Sequence, residues 1–350
     1  MTEAVPLVET RALTKHFPLH GAWARRLRGH PPNVLVAVED VSLAIQRGET
    51  VGLVGESGSG KSTLGRLLLQ LYTPTSGDVL FEGTSVLGQG GRRTRELRKR
   101  IQVIFQDPYS SLNPTMSVRQ MLREVLSVHK IVPREIRDAR VADLLERVGL
   151  APEFADRRPH QFSGGQRQRV GIARALAVEP EFIVADEAVS ALDVSVRAQV
   201  LNLMMRLQEE LGLTYLFISH DLTVMRHISE HVAVMYLGRV VEQSPTEKLF
   251  AEPLHPYTQA LLKAAPTPKP RRKEITPAVP GDIPSPIDRP AGCHFHPRCK
   301  FAMPICRTEY PALRRVGPAV VACHLYEDDE EVDRSAAGHL NLPAERHGEA

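Results

Sequence analysis

The sequence predicts an α/β fold, a parallel or mixed sheet flanked by helices, followed by a small cysteine-bearing extension. Three observations predict it. Before residue 265, short apolar runs of strand length alternate with amphipathic helical patterns. Between Pro266 and Pro290 stand eight prolines, a density that excludes helix and favours an extended connector. All four cysteines, Cys293, Cys299, Cys306 and Cys323, fall in one short window, and the preceding 292 residues contain none.

Thr50 to Val54 is an apolar run that ends in glycine, which reads as a buried strand. Phe182-Ile183-Val184-Ala185 is a second and Tyr215-Leu216-Phe217-Ile218 a third. These two end at Asp186 and Ser219, the edge at which open α/β sheets place their chemistry. Between them Val196, Val200, Leu203, Met204, Leu207 and Leu211 recur at steps of three and four, one apolar helix face closed by Gly212 as a C-cap. The polar segment that opens with Glu327-Asp328-Asp329-Glu330-Glu331 reads as a mobile, solvated tail.

Composition narrows the function classes. At 350 residues the chain exceeds the needs of one compact domain, and 42% hydrophobic with 24% charged residues excludes wholesale disorder and fibrous architecture. Forty-four Lys plus Arg against 41 Asp plus Glu leave a net charge of +3, far from that of a protein that coats nucleic acid. No run of about eighteen apolar residues is present that would span a bilayer. Met1-Thr2-Glu3-Ala4-Val5-Pro6 carries neither a basic nor an apolar leader region, so a cytoplasmic location is expected.

Gly55-Glu56-Ser57-Gly58-Ser59-Gly60-Lys61-Ser62 fits G-x-x-x-x-G-K-[ST] and follows the first strand. Glycines at Gly55, Gly58 and Gly60 let the backbone wrap so that the N–H groups of Glu56, Ser57, Ser59 and their neighbours face an anion, and the helix opened by Lys61, Ser62 and Thr63 adds its dipole. Lys61 supplies a charge for the β- and γ-phosphates, and Ser62 a hydroxyl for Mg²⁺. The second strand delivers Asp186, suited to the Mg²⁺ shell, and Glu187, where a carboxylate can deprotonate a water attacking the γ-phosphorus. Standing alone, two such acids would read as solvated loop charges.

Phe162-Ser163-Gly164-Gly165-Gln166 resembles the signature sequence of ATP-binding cassette proteins, with Phe162 where the family more often has leucine. Ser163 can cap a helix whose third residue is Gln166, and Gly164 and Gly165 keep side chains clear of an anion. The resemblance implies a P-loop NTPase cassette with a RecA-like core sheet, an antiparallel β subdomain and a helical subdomain near 107–175. It also implies that the signature serves the nucleotide held by the opposing subunit of a head-to-tail dimer. Gln106 resembles the family's glutamine that reaches Mg²⁺ and the attacking water. Ser190-Ala191-Leu192-Asp193 is similar to the loop that crosses the dimer interface, and His220 to the histidine that holds the γ-phosphate. Phe17 is the candidate for the aromatic that stacks on adenine, with Trp23 as the alternative.

Three longer segments sharpen the resemblance. Residues 190–196, 213–222 and His255-Pro256-Tyr257-Thr258-Gln259-Ala260-Leu261-Leu262 look like the ATPase subunits of oligopeptide, dipeptide and nickel importers. Ala188 departs from them, since proline usually follows the catalytic glutamate there. What the resemblance implies is an ATP-hydrolysing subunit, using ATP and Mg²⁺, that pairs with an identical or paralogous chain. It would drive two transmembrane permease subunits at the cytoplasmic face of the cell membrane, with an extracytoplasmic solute-binding protein in the complex and no nucleic acid. The region around Gln106 and from Ser117 to Arg147 is expected to receive the permease.

A cassette protein acting on nucleic acid or the ribosome is the rival reading. Only about a hundred residues without heptads separate Lys61 from Ser163, and one cassette is present, both against it. The basic run Arg92-Arg93-Thr94-Arg95-Glu96-Leu97-Arg98-Lys99-Arg100 reads as a solvated helix or permease contact rather than a nucleic-acid patch. A non-hydrolysing regulatory ATPase would lack Glu187 or His220, and both are here.

The expected organisation is a cassette over 1–265, a linker over 266–291, a cysteine module over 292–326 and a tail over 327–350. In a reducing compartment the four cysteines argue against disulfides. Their spacing, C-x5-C-x6-C-x16-C, lacks the tight pairs of structural zinc sites and suits a cubane cluster better, with zinc or unliganded thiols as alternatives. Peptide-importer ATPases have a similar pattern, which in some of them binds [4Fe–4S], and by that resemblance Cys293, Cys299, Cys306 and Cys323 are the candidate ligands of such a cluster.

Overall fold

The structure, a computed structural model, describes residues 5–19, 34–264 and 284–332. In chain order the strands are β1 (Val8–Pro18), β2 (Val34–Ile45), β3 (Thr50–Val54), β4 (Ser76–Phe81), β5 (Thr84–Ser85), β6 (Ile101–Ile104), β7 (Phe182–Asp186), β8 (Thr214–Ser219), β9 (His231–Tyr236), β10 (Arg239–Pro245), β11 (Leu313–Val316), β12 (Ala319–Ala322) and β13 (Glu330–Glu331). The α-helices are α1 (Lys61–Leu68), α2 (Arg92–Arg100), α3 (Pro108–Ser111), α4 (Val118–Val128), α5 (Arg137–Arg147), α6 (Gly164–Leu176), α7 (Val194–Leu211), α8 (Leu222–Ile228), α9 (Thr246–Ala251) and α10 (Pro256–Ala264). The described residues form two compact units, the first within 5–19, 34–45, 51–87, 219–264 and 284–332, the second within 46–50 and 88–218.

The first unit holds an antiparallel sheet in the order β2-β1-β4-β5, with Val8 opposite Ile45 and Phe17 opposite Leu35. It also holds β3, whose five residues are all buried, parallel to β9, with Val54 opposite Val234. From β9 the sheet continues antiparallel through β10, β12, β11 and β13. A strand covered on both faces needs an unbroken apolar run rather than alternation, which is what Thr50 to Val54 and His231 to Tyr236 supply.

The second unit carries β6, β7 and β8 as parallel neighbours, Ile104 opposite Ala185 and Ala185 opposite Phe217. Its helices show their reasons locally. Ser117 and Gln120 form a reciprocal capping box that starts α4, which buries Val118, Met121, Leu122 and Leu126 at helical spacing. Against it lies α5, with Val141, Leu144 and Leu145 inside. The α7 helix ends at Gly212 in the left-handed conformation, as its sequence predicts. Met204 is buried, whereas Leu211 is 41% exposed because it occupies the last turn, past the covered part of the face. The basic run forms α2, which buries none of its residues, and Arg100 pairs with Glu181.

Two expectations about the C-terminal region are corrected. The cysteine segment is not a cap appended to a cassette that ends near 265, because β12 pairs with β10, Glu242 opposite Val321. Too short to close a core of its own, the segment borrows one. One face of β12 packs Ala319 and Val321 with Leu254, and the other packs Val320 and Ala322 with Leu313 and Val332. The acidic run expected to open a mobile tail at 327 instead supplies β13, drawn onto β11 where Arg314 and Arg315 face Glu331 and Glu330. Much of the expected linker, and the tail beyond 332, lie outside the described residues.

Arg289, just before the cysteine segment, is fixed by charge. Glu39 takes Arg239 at 2.8 Å and Arg289 at 2.5 Å. Burial works against the Glu39 carboxylate, but the two guanidiniums outweigh it and hold the group down at about 2. Its ordinary value is 4.5, so the native state gains stability above that pH and loses it as pH falls through 2. Acid unfolding of wild type should therefore lose roughly 2–3 kcal/mol between about pH 5 and 2 that Glu39→Gln does not lose. Chemical denaturation at a series of pH values measures the difference.

Candidate functional site

The loop after β3 is shaped by what stands behind it. At Gly60 φ is +105°, and a Cβ there would lie 2.1 Å from the Ala37 carbonyl oxygen, so only glycine is admitted. At Gly55 a Cβ would lie 2.2 Å from the Met235 carbonyl oxygen. The N–H of Ser59 donates to Glu56 O at 3.2 Å, and Gly238 N–H donates to Ser59 O at 2.9 Å. Lys61 is buried and curls back over the loop, donating to the carbonyls of Gly55 and Glu56 at 2.8 Å each and to Ser59 Oγ at 3.3 Å. The ammonium thus lies within the concavity, over the start of α1 where Ser62 and Thr63 stand half-buried. Ser57 and Gly58 form its exposed lip.

One expectation about this loop is corrected. The sequence has the N–H groups of Glu56 and Ser59 face an anion with the rest, but that of Ser59 is taken by Glu56 O and that of Glu56 is turned elsewhere. The Glu56 N–H donates to Tyr257 Oη at 2.8 Å, and the carboxylate takes both terminal nitrogens of Arg298. Sequence reasoning missed Tyr257 and Arg298. Glu56 itself was the available signal, an acid beside a phosphate loop that needs a cation to neutralise it.

In the same unit His220 stands exposed directly after β8, pinned by its neighbours: Asp221 N–H donates to Ser219 Oγ and Asp221 caps α8 through Thr223 N–H at 2.9 Å. Phe17, near the end of β1, meets Tyr72 edge to face at 5.3 Å with the Lys15 ammonium 5.1 Å from its ring. The alternative aromatic, Trp23, lies outside the described residues.

The second unit brings Gln106, Asp186 and Glu187 to one sheet edge. Gln106 follows β6, and Asp186 ends β7, its parallel neighbour, with Glu187 directly after it. Glu187 adopts φ +48°, the left-handed region that a non-glycine residue occupies only when held there. The hold is visible: its N–H donates to Ile218 O at 2.9 Å, and its carbonyl accepts from Ser190 N–H at 3.0 Å and Ser190 Oγ at 2.9 Å. Ala188, after it, is buried.

The expected cap at Ser163 is present in both directions. Gln166 N–H donates to Ser163 Oγ at 3.3 Å, and Ser163 N–H to Gln166 Oε1 at 3.0 Å. Gly164 is exposed, while a Cβ at Gly165 would lie 2.3 Å from Val196, so α6 approaches α7 closely there. Phe162 is buried edge to face against Phe154, which accounts for an aromatic where leucine is commoner. Asp193 is exposed at the N-cap of α7, where its carbonyl accepts the first helical bond from Arg197.

All four cysteines line one cavity, together with His255, Phe295, Phe301, Met303 and Leu325. Burial raises the thiol of Cys293 to about 11 and that of Cys323 to about 12, so without a cation both stay protonated. Among the described residues no three His, Cys, Asp or Glu side chains converge as a single ion requires. Four thiols around one cavity are the soft donor set this segment offers to a metal or cluster.

A probable peptide ABC transporter ATP-binding protein of Sinorhizobium fredii is 52% identical over 340 residues, 96% of this chain and 95% of that one. The ABC transporter family model matches residues 38–190, and that of the oligopeptide/dipeptide transporter C-terminal region matches 241–306. The chain belongs to the oligopeptide/dipeptide transporter family of ABC ATP-binding proteins. The oligopeptide transport protein AppF of Bacillus subtilis is 49% identical over 326 residues, covering 91% of this chain and 97% of its own. Among solved structures, an ATP-binding cassette in a dimeric post-hydrolysis state with ADP and phosphate superposes with a TM-score of 0.58. It is 30% identical and covers 68% of this chain and 98% of its own. The cbiO1 protein of Clostridium perfringens gives 0.60 at 28% identity over 71% of this chain and 91% of its own. This ABC ATPase therefore takes ATP with Mg²⁺, and proteins of its family dimerise and work with permease subunits. Among the described residues no helix is long and apolar enough to cross a membrane.

The loop geometry separates Gly60, which the motif requires, from Gly58, which stands at one of its variable positions. Gly60→Ala must move the Ala37 backbone and should abolish binding of a fluorescent ATP analogue. At Gly58 a Cβ meets nothing within 4 Å but φ is +79°, so Gly58→Ala carries backbone strain alone and should weaken that binding less than Gly60→Ala does.

Proposed function

We propose that this chain is the energy-coupling subunit of an importer for oligopeptides or dipeptides, working at the cytoplasmic face of the cell membrane. The observation that carries the reading is the match of residues 241–306 to the C-terminal region of oligopeptide/dipeptide transporters, a segment beyond the cassette common to all ABC proteins. Peptide transport in the names of the Sinorhizobium and Bacillus relatives supports the same solute class.

Each site residue then has a role. The loop from Gly55 to Gly60 wraps the phosphates with its remaining N–H groups, and Lys61 leaves its carbonyl partners for the β- and γ-phosphates. Ser62, Asp186 and Gln106 would hold Mg²⁺, which when bound neutralises charge on the β- and γ-oxygens. Glu187, held rigidly at the sheet edge, takes the proton of the water that attacks the γ-phosphorus as the bond to ADP breaks. His220 meets the γ-phosphate, and Phe17 stacks on adenine.

Ser163, Gly164, Gly165, Gln166 and Asp193 serve the nucleotide of an opposing identical or paralogous chain. ATP held between two such half-sites favours the closed dimer by its differential affinity. Closure moves two transmembrane permease subunits, which receive peptide from an extracytoplasmic binding protein. Phe105, Tyr109, Val128 and Ile136, apolar and 39–67% exposed in the second unit, suit the permease contact.

The cysteine cavity we read as the seat of a [4Fe–4S] cluster held by Cys293, Cys299, Cys306 and Cys323. When bound, such a cluster staples a segment too small for its own core. Anaerobically purified protein should contain about four iron and four acid-labile sulfide per chain; absence of both from protein that has met no chelator or oxygen removes the reading.

Glu187→Gln should bind ATP, lose turnover by roughly a hundredfold or more, and accumulate as an ATP-dependent dimer in size-exclusion chromatography. Turnover at the wild-type rate would contradict the role given to Glu187.

A further inference from the structure

The cysteine segment reaches the nucleotide loop through one side chain. The Arg298 side chain is 4% exposed, and its Nη1 and Nη2 donate to Glu56 Oε2 and Oε1 at 2.8 and 2.9 Å, a two-pronged pair. Nη1 also lies 3.4 Å from Tyr236 Oη. Burial disfavours the guanidinium cation, but the Glu56 carboxylate outweighs it and keeps the group charged. Arg298 closes a turn between Cys293 and Cys299, where its own N–H donates to Phe295 O and the Cys299 N–H donates to His296 O. Phe295 in turn is buried among Tyr236, Tyr257 and His255.

Glu56 receives this grip and passes it on. Its N–H is taken by Tyr257, its carboxylate by Arg298, and its carbonyl accepts from both Ser59 N–H and the Lys61 ammonium. Every polar group of the residue is thus committed, two to the C-terminal region and one to the loop's own turn and lysine. Releasing Arg298 would leave a bare carboxylate on a loop built to accept anions, and would remove one of the three holds on the residue that precedes the N–H groups at 57–60.

We propose that Arg298 is a positioning residue for nucleotide binding, acting through Glu56, so that the folded cysteine segment sets the affinity of the phosphate loop. The inference rests on the reading of Gly55 to Ser62 as the ATP site. It makes the segment part of the nucleotide machinery rather than a surface attachment. It also gives any loss of order at the cysteines a direct route to ATP affinity. Arginine suits the task because a lysine ammonium cannot hold both carboxylate oxygens in one plane.

The test uses the full-length chain and equilibrium titration with a fluorescent Mg-ATP analogue, alongside steady-state ATP hydrolysis. Lys61→Ala comes first. Should it leave affinity unchanged, the phosphate-loop reading fails, and the inference falls with it. With that reading intact, Arg298→Ala and Glu56→Ala should each weaken binding by roughly tenfold to a hundredfold. The double variant should be no weaker than the weaker single, because both remove one interaction. Arg298→Lys should fall between wild type and Arg298→Ala, and the loss should appear in KM for ATP with kcat within about twofold. Wild-type affinity in Arg298→Ala, or losses that add in the double variant, would overturn the proposal. Should Arg298→Ala fail to fold, Glu56→Ala alone decides, weakened affinity supporting the proposal and unchanged affinity overturning it.

Discussion

A loop that offers its backbone N–H groups to an anion cannot stabilise itself. It is rich in glycine, and the donors it keeps for the anion cannot also hold it in shape. The first unit is organised around this constraint. Backbone carbonyls of Ala37 and Met235 press so close to Gly60 and Gly55 that no side chain fits between. Gly238 fixes Ser59 from the β9–β10 turn. Tyr257 and Arg298 hold Glu56 from the C-terminal region. The antiparallel β subdomain, the core sheet and the cysteine segment thus each supply one wall of the loop. Lys61, lying on the carbonyls of Gly55 and Glu56, supplies a temporary interior.

The second unit meets a different demand, that a carboxylate be aimed rather than a loop be shaped. Parallel strands β6 and β7 end side by side, so Gln106 and the Asp186–Glu187 pair leave the sheet at one edge. Glu187 sits in a left-handed conformation that costs about 1–2 kcal/mol. Hydrogen bonds to Ile218 and Ser190 maintain it. Strain maintained at one point of an otherwise regular strand end fits a residue whose direction matters, as the catalytic role proposed for it requires. The signature helix α6 shows the same economy. Ser163 and Gln166 satisfy each other, Gly164 is left bare, and Gly165 lets α7 come close.

The cassette was legible in the sequence because its chemistry imposes fixed spacings. A phosphate loop after a buried strand, two acids after another and a capped glycine pair between them leave little freedom, and resemblance to peptide-importer ATPases supplied the rest. What escaped notice was long-range. Arg298 and Glu56 lie 242 residues apart, and no periodicity links them. The apolar run Ala319 to Ala322 was short enough to pass for part of a small module, and its pairing with β10 depends on an edge that the sequence does not advertise. The acidic run after 326 looked like a solvated tail because its partners, Arg314 and Arg315, stand across a turn rather than beside it. Local motifs report chemistry, whereas the sheet edge that completes a fold is reported only by the fold.

The central claim is that this chain converts ATP hydrolysis into peptide import. The most direct measurement is uptake of a labelled oligopeptide into proteoliposomes that contain the chain with its permease subunits and solute-binding protein. The account predicts uptake that requires ATP on the side bearing this chain, and ATP hydrolysis that rises when peptide-loaded binding protein is present. ATP hydrolysis indifferent to peptide, with no peptide accumulated, would contradict it.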